Sequence, residues 1–387
     1  MNHDTDIAII GAGIAGAALA WHLAPHARVL LLEREAQPGQ HSTGRSAAMF
    51  METYGPLQAR ALTRASRALY EQPPEGFSET PLLAPRGVLY VGWQGQEAAL
   101  DALQAELSHT GATVGRIDAA EALRRVPVLR AEGLLGAVTE PDAMDIDVHA
   151  LHQGYLRGLK RAGGALQCQA ELQAAQHDGQ IWTLTLHDGE SLNCRSLVNA
   201  AGAWADVVAA RCGARPVGLQ PKRRSAFTFA APEGVDARAW PTVAAIDERW
   251  YFKPDAGQLL GSPANAEPVD PHDVLPEELD IALGIHGIEH CTQLRIRRPH
   301  RTWAGLRTFA PDGELVIGWD PQVPGLFWLA GQGGYGIQSA DGAAQLAASL
   351  IRGADLPEAL RAQGVQAAAM SPARFAAGPS QAVPITP

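Results

Sequence analysis

Ile7-Ala8-Ile9-Ile10-Gly11-Ala12-Gly13-Ile14-Ala15-Gly16-Ala17-Ala18-Leu19-Ala20 is the stretch whose reading decides the fold. Four apolar residues run into three glycines spaced G-x-G-x-x-G, and an alanine-rich segment continues to Ala24. A second apolar run, Val29 to Leu32, ends in Glu33 and Arg34. The order is strand, glycine turn, helix, strand, acidic residue. Gly11 permits the tight turn, Gly13 lets the backbone approach a pyrophosphate, and Gly16 lets the helix pack against the strand. The helix, opening at Ile14 and Ala15, turns its free N–H groups and positive dipole end toward that pyrophosphate. Glu33 stands about twenty residues past the turn, where a carboxylate accepts hydrogen bonds from a ribose. An ordinary α/β unit can also carry a glycine-rich turn. The strand before it and the acid after it favour a dinucleotide site.

The chain has 387 residues and a formal net charge of −10. That length suits two intimately connected domains. Nothing in this acidic balance suggests nucleic acid, whose binders usually show basic surfaces. Residues 7–24 do not read as a secretory signal or membrane span, because Asp4 and Asp6 precede them and three glycines and His22 interrupt them. The expected location is the cytoplasm, without a membrane span. Cys168, Cys194, Cys212 and Cys291 are scattered without a CxxC pair, so neither a disulfide framework nor a cysteine zinc site is indicated.

Beyond Glu33, His41-Ser42-Thr43-Gly44-Arg45-Ser46-Ala47-Ala48 places hydroxyls, an arginine and small residues in one loop. It reads as a second cofactor contact, although a plain helix cap at Ser46 explains any single residue equally well. Apolar spacing predicts helices over 56–70, 94–110, 117–124 and 148–162, and a strand over 87–93. Short strands alternate with turns over 165–198. Leu197-Val198-Asn199-Ala200-Ala201-Gly202-Ala203-Trp204 repeats the opening logic, with a helix from about Ala203. Residues 218–318 are β-rich and aromatic, with strands expected at 225–229, 249–253, 258–261, 295–298 and 315–319, all in a second domain's sheet. A third turn, Gly331-Gln332-Gly333-Gly334-Tyr335-Gly336-Ile337-Gln338, precedes a helix to Ile351 and brings another positive helix end to the cofactor. The Pro-, Ala- and Ser-rich tail from Ser371 is expected to be disordered.

Taken together, these turns resemble the D-amino-acid-oxidase superfamily of flavoenzymes, and within it the catabolic D-arginine dehydrogenases. The similarity runs over nearly the whole chain, including 41–48, 151–158, 218–227, 253–265 and 302–307. It implies an α/β fold: a discontinuous Rossmann-type FAD-binding domain (1–80, 145–217, 320–370), a mixed β-sheet substrate-binding domain (81–144, 218–319) and a flexible tail (371–387). It also implies oxidation of an amino acid at Cα by hydride transfer to FAD, giving an imine and then a 2-oxo acid and ammonia. The cysteine of covalently flavinylated relatives has no counterpart over 318–338, so FAD is expected to be non-covalent. The resemblance assigns Arg224 and Arg307 to the substrate carboxylate, joined by Tyr251. Tyr54 falls on a mobile loop over the pocket, and Gly334 and Gln338 fall near the substrate amine and the flavin. Gly305, Gly333, Tyr335, Gly336 and Ile337 complete the expected cofactor contacts.

Two departures bear on specificity. Met49 stands where the D-arginine enzymes have a histidine, and Val88 stands where they pair the guanidinium with a glutamate. A buried cation without a carboxylate is costly, so apolar or aromatic D-amino acids are expected in place of D-arginine, unless Glu52 or Glu79 reaches the pocket. A flavin oxidase of secondary amines or 2-hydroxy acids is the alternative enzyme, and a non-catalytic FAD-binding protein is the alternative of another class. The electron acceptor is expected to be a quinone or oxygen, and the chain a monomer. His286-Gly287-Ile288-Glu289-His290 matches an HxxEH zinc pattern, but reads better as a solvated helix face; no metal is expected.

Overall fold

The computed structural model describes residues 4–375. Two large sheets dominate them, one of eight strands and one of ten, with a small three-stranded sheet between them in sequence. The first sheet grows from the opening stretch. Strand Asp4–Ile10 pairs in parallel with Val29–Leu32 on one side and Ser191–Asn199 on the other. Ala165–Gln167 and Leu326–Ala330 extend it in parallel at either side. Both faces are buried, as parallel sheets require. Ile7, Ile9, Val29 and Leu31 pack under helices Ile14–Leu23, Val148–Arg161 and Ala340–Arg352. Ala8, Ile10, Leu30 and Leu32 face the opposite way, onto helix Ala205–Arg211 and Trp182. Ala17, Ala18 and Ala20 are fully buried, and their small side chains let the first helix lie close to its two neighbours.

The second sheet runs Arg301–Phe309, Gln220–Phe229, Gln258–Ser262, Tyr251–Asp255, Thr242–Ala245, Val88–Trp93, Leu134–Glu140 through its middle. One face buries Phe227, Phe252, Leu89 and Val243 against helices Glu278–Cys291 and Ala119–Arg125. The other face turns toward the carboxyl ends of the first sheet. The three-stranded sheet joins Met49–Phe50, Met144–Ile146 and Leu83–Pro85. It carries the chain into segment 51–55.

The structure differs from the sequence reading in several places. Residues 117–124 are not all helical: Gly115–Asp118 is a strand, and the helix starts at Ala119, where the Asp118 carboxylate accepts from Glu121 N. Residues 295–298 form no strand. Val316–Trp319 pairs antiparallel with Leu326–Ala330 and so belongs to the first sheet, because its register continues that sheet's edge. Gly202–Trp204 is a 3-10 turn leading into Ala205–Arg211. The expected disordered tail begins with order: Pro372–Phe375 is a 3-10 turn, and Arg374 pairs with Asp312. Residues 376–387 of that tail lie outside the described residues.

Candidate active site

A cavity of about 470 Å3 runs from Glu33 and Arg34, past Gly11 and Gly13, to Tyr251, Arg224 and Arg307. Its wall comes from both large sheets. At the dinucleotide end Gly11 has φ +101, and a Cβ there would stand 2.5 Å from Ala200 O. Only glycine fits. Gly16 lies off the cavity wall; a Cβ there would meet Gly11 O at 1.9 Å, so it closes the helix onto the turn. Gly13, at the N-cap of helix Ile14–Leu23, has no side chain to cap it, so apart from Ile14 N, which donates to Thr43 Oγ1, the first turn can meet a ligand. The buried Glu33 accepts from Ala12 N at 2.9 Å and from Glu35 N at 3.0 Å, one bond to each oxygen. Lone pairs remain for a ribose. Arg34 lies 4.5 Å from the Trp204 ring centroid and stacks on it.

Loop 41–48 contributes differently from its sequence reading. Thr43 Oγ1 accepts from Ile14 N at 3.0 Å, and Ser42 Oγ donates to Leu306 O at 2.7 Å. The Arg45 guanidinium donates to the carbonyls of Val274 and Ala304 and to Asp273. These side chains tie the loop to the first helix and the second sheet. Along with Ser46 and Ala47 they line the cavity, whereas Ala48 packs against the core outside it. Ala15, Ala201, Gly202, Gly305, Gly333, Gly334, Gly336 and Ile337 also line it.

Tyr335 does not. Its ring is buried and packs edge-on against Tyr54, and its hydroxyl donates to Gly313 O. Gln338 is likewise buried beside the wall. Its Nε2 donates to Met51 O, Tyr54 O and Thr63 Oγ1, and its Oε1 accepts from Met51 N. The expected contact with the substrate amine gives way to a hold on segment 51–55.

At the far end, strand register decides which charges meet. Lys222 lies opposite Arg307, and Arg224 lies opposite Gly305. Cross-strand partners share a face, so Arg224 and Arg307 both turn to the cavity while Arg223 turns away. Arg223 is paired with Glu277, Asp280 and Glu267. Neither Arg224 nor Arg307 has a carboxylate at ion-pair distance among the described residues. Arg224 Nε donates to Asn265 O at 2.6 Å, and Arg307 Nη1 donates to the Tyr54 hydroxyl at 3.1 Å. Burial, and then the like charge of Arg307, push the Arg224 guanidinium down to about 10. A Cβ on Gly334 would lie 2.7 Å from the Tyr54 hydroxyl and 3.1 Å from Arg307 Nη1, so a side chain here would displace the ends of both groups. Met49 and Val88 stand off the cavity wall: Val88 is buried, and Met49 Sδ accepts from Thr242 Oγ1, whose strand pairs with that of Val88. Glu52 is held by Arg67 at 2.8 Å, and Glu79 is exposed.

Four residues escaped the sequence reading. Ala170 and Leu172 close the dinucleotide end and carry no motif. Asn265 anchors Arg224 through its carbonyl, which residue type does not advertise. Gln332, inside the third glycine turn, lines the cavity with a buried Nε2 that has no partner among the described residues. The HxxEH stretch sits on helix Glu278–Cys291, where Glu289 accepts from Ile296 N. Among the described residues no cluster of three or more candidate ligands is placed to hold a metal, and no helix is long and apolar enough to cross a membrane.

A flavin dinucleotide fits this donor set. The Gly11 turn and the helix N-terminus behind it suit a pyrophosphate, and Glu33 suits a ribose. Comparison with known proteins agrees. The chain is 25% identical to glycine oxidase from Geobacillus kaustophilus over 87% of its length and 90% of the relative's. FAD-dependent oxidoreductase domain-containing protein 1 of Bos taurus is 24% identical over 90% of this chain and 81% of its own. Among solved structures, L-proline dehydrogenase from P. horikoshii superposes with a TM-score of 0.82 at 20% identity, covering 98% of this chain and 99% of that one. The DAO family model, described as FAD dependent oxidoreductase, matches residues 6–350. A cavity built for FAD and a family match across both sheets lead to one conclusion: this chain belongs to the DAO family of FAD-dependent oxidoreductases.

Proposed function

We propose that this protein oxidises D-amino acids at Cα, releasing an imine that water converts to a 2-oxo acid and ammonia, and that it favours apolar or aromatic side chains over D-arginine. The observation that carries the reading is the Arg224–Arg307 pair: two half-buried guanidiniums on one sheet face, aimed into the cavity, with no protein anion between them. Such a pair is a preformed carboxylate fork. The Tyr54 hydroxyl fixes one guanidinium from the lid side, and Tyr251 lines the same wall. These groups would hold a substrate carboxylate at the end of the cavity that Gly333 and Gly334 also line. When bound, FAD, held without a covalent link, supplies the two-electron acceptor for the Cα hydride. The names of the relatives, glycine oxidase and L-proline dehydrogenase, point to amino acids as the substrate class.

Side-chain preference rests on charge. Val88 is apolar and buried, and Glu52 is neutralised by Arg67. A second reading, a basic D-amino acid, is favoured by Glu248. This exposed carboxylate has φ +57 at the turn after Thr242–Ala245, and its charge is felt by both Arg224 and Arg307.

The test is anaerobic mixing of the flavin-loaded protein with D- and L-amino acids, glycine, N-methyl amino acids and 2-hydroxy acids, following flavin absorbance. Fast bleaching by D-methionine, D-leucine or D-phenylalanine, with slow L-enantiomers, is expected. Bleaching by D-arginine alone would favour the Glu248 reading. Bleaching only by secondary amines or hydroxy acids would move the substrate class, and none at all would leave an FAD-binding protein without this chemistry. Oxygen uptake during turnover separates oxygen from a quinone as the final acceptor.

A further inference from the structure

Glu140 ends strand Leu134–Glu140 and is 2% exposed, yet among the described residues no Lys, Arg or His lies at ion-pair distance from it. A buried carboxylate in that state is costly, and an apolar residue would serve the sheet better. Its partners all lie in a different part of the chain. Thr53 Oγ1 donates to Glu140 Oε2 at 2.6 Å, and the backbone at Glu52 and Thr53 adds further hydrogen bonding. Thr53 itself is 2% exposed, so the bond is shielded from water.

That contact completes a set. Gln338 grips segment 51–55 at Met51 N, Met51 O and Tyr54 O, while Glu140 grips it at Thr53. Gly55 turns the chain away with φ +98, and a Cβ there would press on Tyr335 at 2.9 Å. Tyr54 is left 36% exposed, and its hydroxyl accepts from Arg307 Nη1 at 3.1 Å. Gln338 precedes the helix Ala340–Arg352 of the first unit, and Glu140 lies in the second sheet. The segment is therefore fastened to both halves of the molecule directly over the carboxylate fork.

We infer that Glu140 is a positioning residue: its buried carboxylate holds Thr53, and through segment 51–55 places the Tyr54 hydroxyl on Arg307. Burial pushes the Glu140 carboxyl above its usual range, and hydrogen bonding from the segment opposes that rise. Losing the segment would remove this support and turn Tyr54 away from Arg307. The consequence falls on carboxylate capture more than on the rate once substrate is bound.

The inference rests on Arg307 binding a carboxylate and not on the D-amino acid reading. Thr53→Val and Glu140→Gln are compared with wild type as FAD-loaded proteins, using whichever panel compound bleaches the flavin. If none does, the Kd of benzoate, read from the flavin spectrum, replaces KM. Expected are a KM raised about 10-fold with kcat within about 3-fold, and hydrogen–deuterium exchange at 52–54 accelerated about 10-fold. Combining either change with Tyr54→Phe should raise KM no further than Tyr54→Phe alone. Thr53→Val is nearly isosteric, so it keeps the test available if the Glu140 variant folds poorly. An unchanged KM in both variants, with or without faster exchange, overturns the inference. So does an effect fully additive with Tyr54→Phe.

Discussion

Arg223 and Arg224 are neighbours in sequence and should respond to the same substitution with opposite signs. Arg224→Met removes one arm of the proposed carboxylate fork. A charged hydrogen bond contributes about 1.5–3 kcal/mol, so substrate affinity should fall about 10- to 150-fold. Stability should move the other way. Burial and Arg307 push Arg224 down to about 10, a cost of roughly 3 kcal/mol for carrying the charge. Because the folded value lies below the unfolded one, this cost is present in full at every pH below about 10 and is relieved only above it. The bond to Asn265 O, a charged one of about 1.5–3 kcal/mol, is lost with the charge. The net expectation without substrate is a change of about 0 to 1.5 kcal/mol in favour of the folded state, at most a few degrees in melting temperature.

Arg223→Met should do the reverse. Arg223 Nε lies 3.1 Å from the buried Asp280, with Glu277 and Glu267 completing the cluster. Removing it leaves Asp280 buried without its cation, at about 3 kcal/mol after allowing for the exposure of the other two. The assay pairs melting of both variants without substrate with anaerobic flavin reduction against substrate concentration. A destabilised Arg224→Met that keeps wild-type affinity would refute the assignment of these two faces.

Other expectations are briefer. Gly11→Ala should yield protein largely free of flavin, because the new Cβ needs the space of Ala200 O and a φ of +101; the flavin-to-protein absorbance ratio measures it. His152 Nε2 donates to Ala12 O at 2.9 Å, and burial lowers its pKa. The unfolded chain therefore binds the extra proton first, so stability is complete above about pH 6.5 and falls as pH drops below it; His152→Gln should flatten the melting-temperature profile there. Val88→Glu would set a carboxylate directly across from Glu140. It should cost about 1–3 kcal/mol in a melt without conferring D-arginine turnover, and adding Glu140→Gln should relieve the loss.

The first sheet was legible because its signals are local. The three glycines fall in one six-residue turn, where Gly16 closes on Gly11 O, and Ile7 to Ile10 alternate between two buried faces. The second sheet was legible as texture but not as registry. Val316–Trp319 looks like its neighbours in composition and joins the other sheet through a pairing that composition does not encode. The arginines at 224 and 307 were found through resemblance. What makes them a pair is an antiparallel register of Lys222 on Arg307, a long-range fact. Ser42, Thr43 and Arg45 show the converse: they were read as ligand donors, and their side chains fasten the loop to Leu306, Ile14 and Ala304.

Specificity was the least legible property, and Val88 shows why. On sequence grounds an apolar residue there reads as a missing negative charge. In the fold its cross-strand partner is Glu140, so a carboxylate lies on the same sheet face, one strand away. That carboxylate is engaged by Thr53 and not open to the cavity. Glu248, on a turn with no motif, projects its charge onto the arginine pair from the solvent side. On the proposed reading, then, Glu248 is the carboxylate whose charge reaches the arginine pair, while Val88 and Glu140 are buried off the cavity wall. Changing Val88 alone is expected to alter the sheet's internal balance before it alters the pocket, so a change of substrate is expected to need the Thr53–Glu140 contact and the wall to change together.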